Sequence, residues 1–230
     1  MLLRLFNILR GGGELDANWL VQLASLVFVV TICLSAHECA HAWAAKKLGD
    51  QTAMLRGRLT LNPARHLSLA GTLMILLVGF GFAKPVPVQP RFFKNPKKGM
   101  ALTAAAGPLS NLLMAVALMF FAQLTLALSH YTRVDPELAD MIYYFFAYAA
   151  TFNVSLMVFN LIPVPPLDGA RILDLFLPMR ASLFFDRIER YLMFGIFIVA
   201  YLLSGPIGWL TGVILKGIYY LTSLPFFWVK

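Results

Sequence analysis

Long apolar runs separated by short polar ones dominate the chain. Five stretches, 17–37, 66–83, 99–132, 141–167 and 191–215, contain no Asp, Glu, Lys or Arg, and the tail 217–229 is apolar as well. A helix needs roughly 20 apolar residues to cross a bilayer. The runs predict three core helices at about 19–47, 100–130 and 140–163. Two further membrane helices are expected within 188–224, joined at Gly205-Pro206-Ile207-Gly208. The run 66–83 is short for a crossing and holds Gly71, Gly79 and Gly81. It is expected to be re-entrant, dipping into the membrane and returning. Non-helical backbone at that depth must be shielded by protein or line a wet cavity. Lys84-Pro85-Val86-Pro87-Val88-Gln89-Pro90 follows, and its alternating prolines forbid a helix and favour extended chain. The expected fold is therefore an all-α polytopic membrane protein with a re-entrant and extended segment over 66–90. It forms a single membrane-embedded domain, 1–230. Its parts are an interfacial segment 1–17, a core 18–175 and a C-terminal helical hairpin 188–224.

Composition agrees. Of 230 residues, 60% are hydrophobic and 13% charged, whereas a soluble chain is about half apolar and about a quarter charged. A disordered chain, a coiled coil and an ordinary soluble domain are excluded. The net charge of +8 comes from 19 Lys and Arg clustered between apolar runs. Such clusters suit a bilayer surface, so no nucleic-acid partner is expected. Positive residues favour the cytoplasmic side, which places Lys46 to Arg65, Lys84 to Lys98 and Arg171 to Arg190 inside. The loop 131–140 sets Asp135, Glu137 and Asp140 against Arg133 alone and belongs outside. The start MLLRLFNILR shows no small-residue cleavage site and is expected to be an interfacial amphipathic helix, which accommodates Arg4 and Arg10. Cys33 and Cys39 share one apolar run and are expected to be small packed side chains, with no disulfide framework.

The first run ends in His37-Glu38-Cys39-Ala40-His41, an H-E-x-x-H pattern. Residues four apart share a helix face, so the two imidazoles can grip one zinc ion while Glu38 holds a water. The pattern arises by chance in roughly three of a thousand such chains. A carboxylate within an apolar helix needs a partner or a wet cavity. Two His leave a zinc ion short of a third protein ligand. Asp168 is the candidate, because it closes the run 141–167 behind Pro163, Pro165 and Pro166. Its plain alternative is to cap the segment starting at Ala170.

HECAH, AAAGPLSN at 104–111 and NLIPVPPLDG at 160–169 together resemble the site-2 protease family of zinc intramembrane proteases. GRLTLNPARH at 57–66 and FAKPVPVQP at 82–90 resemble its compact bacterial-type branch, without PDZ or CBS domains. The resemblance covers most of 19–175. It implies one Zn2+ per chain held by His37, His41 and Asp168, metal-activated water, and Glu38 as general base. It also implies transmembrane protein substrates, positioned by Asn160 and Asn111. A substrate clamp is expected at Val86 and Val88, where an unwound peptide could lie beside extended chain. The expected location is a prokaryotic plasma membrane with the site toward the cytoplasm. Sharing one metal requires the first and third core helices to run parallel and an even number of crossings between residues 46 and 98. That also makes 66–83 re-entrant.

Other readings compete. A different metalloprotease class would need Glu137 or Glu189 as third ligand, but Glu137 lies in the outer loop and Glu189 in a basic cytoplasmic stretch without helix-paired partners. A metal-ion transporter could use the same residues, but no internal repeat or paired broken helices are visible. A non-catalytic relative would bind membrane proteins without cutting them. His66 is expected at a loop boundary as a surface or capping residue, and His130 at an outer helix end, without a role.

Overall fold

In the computed structural model the described residues are 16–68, 71, 72, 74 and 83–229. Their architecture is all-α. The helices are α1 (Ala17–Leu48), α2 (Thr52–Leu55), α3 (Pro96–Tyr131), α4 (Pro136–Asn160), α5 (Asp168–Asp174), α6 (Met179–Leu202) and α7 (Ser204–Ser223). Among the described residues, α1, α3, α4 and the stretch Ser204–Phe226 are long and apolar enough to cross a membrane. The chain is an integral, multi-pass membrane protein. The expected interfacial segment and the interior of the expected re-entrant loop lie outside the described residues.

Local chemistry sets the helix ends. Asp16 caps α1 by accepting from the Asn18 amide at 2.9 Å. Gly49, with φ +115°, ends α1, a conformation that favours glycine. Asn95 accepts from the Lys98 amide ahead of α3. Asp135 accepts from the amides of Glu137 and Leu138 ahead of α4. Each of these caps satisfies an amide that the first turn leaves without a partner. One π-helical turn, Val29–Cys33, interrupts α1 just before the H-E-x-x-H motif. Such turns concentrate at functional sites.

The core lies where α1, α3, α4 and α7 meet. Ala115, Ala122, Ala149, Ala150 and Val154 are fully buried there beside Val29, Cys33 and Ile218. Small residues let membrane helices approach closely, which supplies the packing that lipid does not drive. Ser25 of α1 donates to the Phe145 carbonyl near the start of α4, at 2.9 Å. At the other end, His37 meets Asp168, just past the end of α4. Helices α1 and α4 therefore run parallel, and α3 runs back between them.

The expected re-entrant segment is closed at its neck. Leu67 and Ala83 form an isolated antiparallel bridge, and the Lys84 amide donates to the His66 carbonyl at 2.7 Å. Its two ends therefore lie together, as an even number of crossings requires. Residues 84–89 form no helix, as the prolines dictate, and Gln89 has extended backbone. The C-terminal helices depart from expectation at their joint. The break falls at Leu203, and Gly205-Pro206-Ile207-Gly208 lies inside the first turns of α7. Proline is tolerated there because first-turn amides have no helical partner anyway. The charged first half of α6 keeps it from counting as a span by composition.

Candidate metal centre

His37 and His41 sit one turn apart on α1, and both face inward. Their Nε2 atoms are 3.0 Å apart. Asp168 meets both: Oδ2 lies 3.3 Å from His37 Nε2, and Oδ1 lies 3.4 Å from His41 Nε2. Ligand atoms about 2.0–2.1 Å from a tetrahedral zinc lie about 3.3 Å apart. The imidazole pair has about that spacing, each imidazole faces a different oxygen of the Asp168 carboxylate at a similar distance, and one ligand atom from each of the three residues lies within 4.8 Å of the others. Among the described residues this is the His, Cys, Asp and Glu group that could hold a metal.

Neighbouring groups aim the donors. The Thr103 carbonyl of α3 lies 2.8 Å from His41 Nδ1. It accepts that N–H and leaves Nε2 with its lone pair toward the metal position. Gly107, one turn further on α3, touches both rings. A Cβ there would lie 2.5 Å from His41 Nε2 and 2.6 Å from His37 Cε1. Gly169 performs a similar task beside Asp168, where a Cβ would lie 2.2 Å from the Leu161 carbonyl oxygen. Without a side chain at 169, the proline-rich turn folds back against the end of α4.

Asp168 is the first residue of α5, and Leu167 occupies the cap position. Its carboxylate caps nothing, contrary to the plain alternative. Burial pushes that carboxyl up, but the charge of His41 and hydrogen bonding by His37 and His41 outweigh it and hold it well below the usual carboxylate range. Glu38 is buried on the same helix, close enough for its charge to reach His41. Asn111 is fully buried on α3, one turn past Gly107, and neither of its amide atoms has a partner among the described residues. Asn160 ends α4 and donates to its own Leu156 carbonyl.

The family follows from comparison. A family model described as Peptidase family M50 matches residues 25–130 and 125–203. The chain belongs to family M50, the site-2 proteases. YwhC of Bacillus subtilis, whose name describes a zinc metalloprotease, is 39% identical over 80% of this chain and 81% of its own length. Rip2 of Mycolicibacterium smegmatis, similarly named, is 33% identical over 62% of this chain and 52% of its own. Rip2 of Mycobacterium tuberculosis is 32% identical over 64% and 54%. No solved structure matches. As an M50 member the chain is a metallopeptidase of the membrane.

Two residues of this centre, Thr103 and Gly107, were not singled out from the sequence. Gly107 stands in the family-like GPLSN stretch, but only the crossing of α3 over α1 shows what it touches. His66 also differs from expectation. It is fully buried, with Nε2 2.7 Å from the Thr60 carbonyl, under the neck of the re-entrant segment. Cys33 is buried and Cys39 partly so, both as free thiols.

The proline-rich stretch 84–89 is tied at both ends. Arg58 donates to the Lys84 carbonyl and, at 3.1 Å, to the Pro85 carbonyl. Asp50 accepts from the Gln89 amide at 2.6 Å and from the Thr52 amide at 2.9 Å. Val86 and Val88 are half-buried between these ties. Burial pushes the Asp50 carboxyl up, but its hydrogen bonds to Thr52 and Gln89 prevail and lower it.

Proposed function

We propose that this chain is a zinc-dependent intramembrane endopeptidase that cuts transmembrane protein substrates, in a single membrane-embedded domain. The observation that carries the reading is the clustering of His37, His41 and Asp168: the two Nε2 atoms lie 3.0 Å apart, and each faces one oxygen of the carboxylate, at 3.3 and 3.4 Å. Two imidazoles and one carboxylate suit zinc, and an open fourth position suits catalysis rather than a structural site. Bound there, zinc supplies Lewis acidity and lowers the pKa of water toward about 7.

Glu38 is the general base. Its carboxylate takes a proton from the attacking water and passes it to the leaving amine. Asn160 and Asn111 position the substrate. The unpartnered amide of Asn111 supports that role, because a buried amide without a partner costs free energy that a substrate carbonyl or amide could recover. A helical substrate offers no free backbone, so it must unwind locally. The stretch of Val86 and Val88, braced by Arg58 and Asp50, receives the unwound substrate by β-strand addition. Similarity to bacterial relatives supports a prokaryotic plasma membrane, and the charge pattern of the loops supports a site toward the cytoplasm.

Glu38→Gln tests the reading. The purified variant should keep about one zinc per chain and lose cleavage of a reconstituted membrane substrate by at least about a hundredfold. Full activity in that variant would refute Glu38 as base. A transporter would instead carry zinc across proteoliposomes regardless of Glu38→Gln cleavage results.

A further inference from the structure

Lys97 stands in the first turn of α3, next to Lys98, with no acid nearby in that turn. A cation there opposes the helix dipole. Its contacts lie elsewhere. Nζ donates to the Asp174 carbonyl at 3.1 Å, the Leu177 carbonyl at 2.6 Å and Ser182 Oγ at 2.7 Å. The Asp174 carboxylate adds an ion pair at 3.9 Å. An ammonium group has three donors, and here each has an acceptor. One of these acceptors is the last carbonyl of α5, at the helix end that favours a cation, and another, Leu177, lies three residues past it. The unfavourable position on α3 is compensated at α5.

Helix α5 begins at Asp168 and ends at Asp174. It is about 10 Å long, so a tilt of about 6° about its far end moves its near end by about 1 Å. We infer that Lys97 is the positioning residue for the third metal ligand: it fixes the far end of α5 to α3, the helix whose Thr103 and Gly107 orient the two histidines. All three donors are then registered to one element. This rests on the reading of Asp168 as a zinc ligand.

The test uses full-length protein in detergent, with cobalt(II) replacing zinc, because cobalt's visible spectrum reports its ligand set. Zinc release to a chromogenic chelator is the second readout. Asp168→Ala should change the cobalt spectrum and speed zinc loss. Lys97→Met should shift the spectrum in the same direction and speed release at least about tenfold, the low end for lost outer-sphere support. Lys97→Arg should restore part of both. Ser182→Ala removes one acceptor and should give a smaller change in the same sense, and it carries the test if Lys97→Met does not fold. A lower melting temperature with wild-type spectrum and release rate in Lys97→Met, or in Ser182→Ala where that variant carries the test, would overturn the inference. An unchanged Asp168→Ala protein would instead overturn Asp168 as a ligand, and the inference with it.

Discussion

Replacing Gly107 by alanine adds one methyl group at the point where α3 touches the metal centre. The new Cβ would lie 2.5 Å from His41 Nε2 and Cε1 and 2.6 Å from His37 Cε1. Ordinary carbon contacts begin at about 3.5 Å, so roughly 1 Å of movement is required. The rings cannot simply swing aside. His41 is held through Nδ1 by the Thr103 carbonyl, and each Nε2 atom faces one oxygen of the Asp168 carboxylate. Overpacking of this kind costs about 1–3 kcal/mol. A 1 Å misplacement at a reacting centre costs on the order of a hundredfold in rate. Gly107→Ala should therefore lose zinc at least about tenfold faster and cleave about a hundredfold more slowly, while remaining folded. Zinc release to a chelator and cleavage of a reconstituted substrate would be measured side by side. Gly212→Ala is the control, since a Cβ at 212 meets nothing within 4 Å. If Gly107→Ala matches that control in both assays, the close approach of α3 to the histidines does not govern the centre.

Gly169→Ala should be harsher, because its Cβ meets backbone oxygen rather than a ring, and the purified variant should retain little zinc by metal analysis. Added zinc should raise the melting temperature of the metal-stripped wild type and fail to do so for His37→Ala, as binding to the folded state alone requires. Asp50 has a lowered carboxyl, so its contribution is present above the unfolded value near about 3.9 and is lost as pH falls through its lower folded value. Asp50→Asn should accordingly lower the melting temperature at pH 7, and the gap to wild type should close below about pH 4. Unequal gaps that persist into acid would show that the carboxylate charge is not what ties Gln89.

The three core helices were legible because a charge-free run of spanning length is a one-dimensional property. The grouping of the candidate metal residues was legible for a different reason. Few residue types bind zinc, and a spacing of four places His37 and His41 on one face wherever the helix lies. Tertiary contacts have no such signature. Thr103 contributes a backbone carbonyl, which any residue could supply, and Gly107 acts by what it lacks. Lys97 looks like one more cation in a basic loop until α5 is seen against it. His66 follows Asn62-Pro63 as a surface turn residue would, yet the returning chain at Ala83 and Lys84 covers it. The joint between α6 and α7 was misplaced because Gly205 and Pro206 mark a boundary without saying on which side of them the helix begins.

Helix α4 has 25 residues and is thus about 37 Å long, close to a bilayer's apolar thickness of about 30 Å. Asp168 lies just beyond its end, and His41 lies seven residues from the end of α1, about 10 Å. The cluster of His37, His41 and Asp168 therefore lies toward one end of the apolar helices rather than at their middle. On the function proposed above, a substrate helix cut at that level would keep most of its greasy length in the bilayer as a stump. The severed aqueous portion would carry only a short apolar fringe and could leave the membrane.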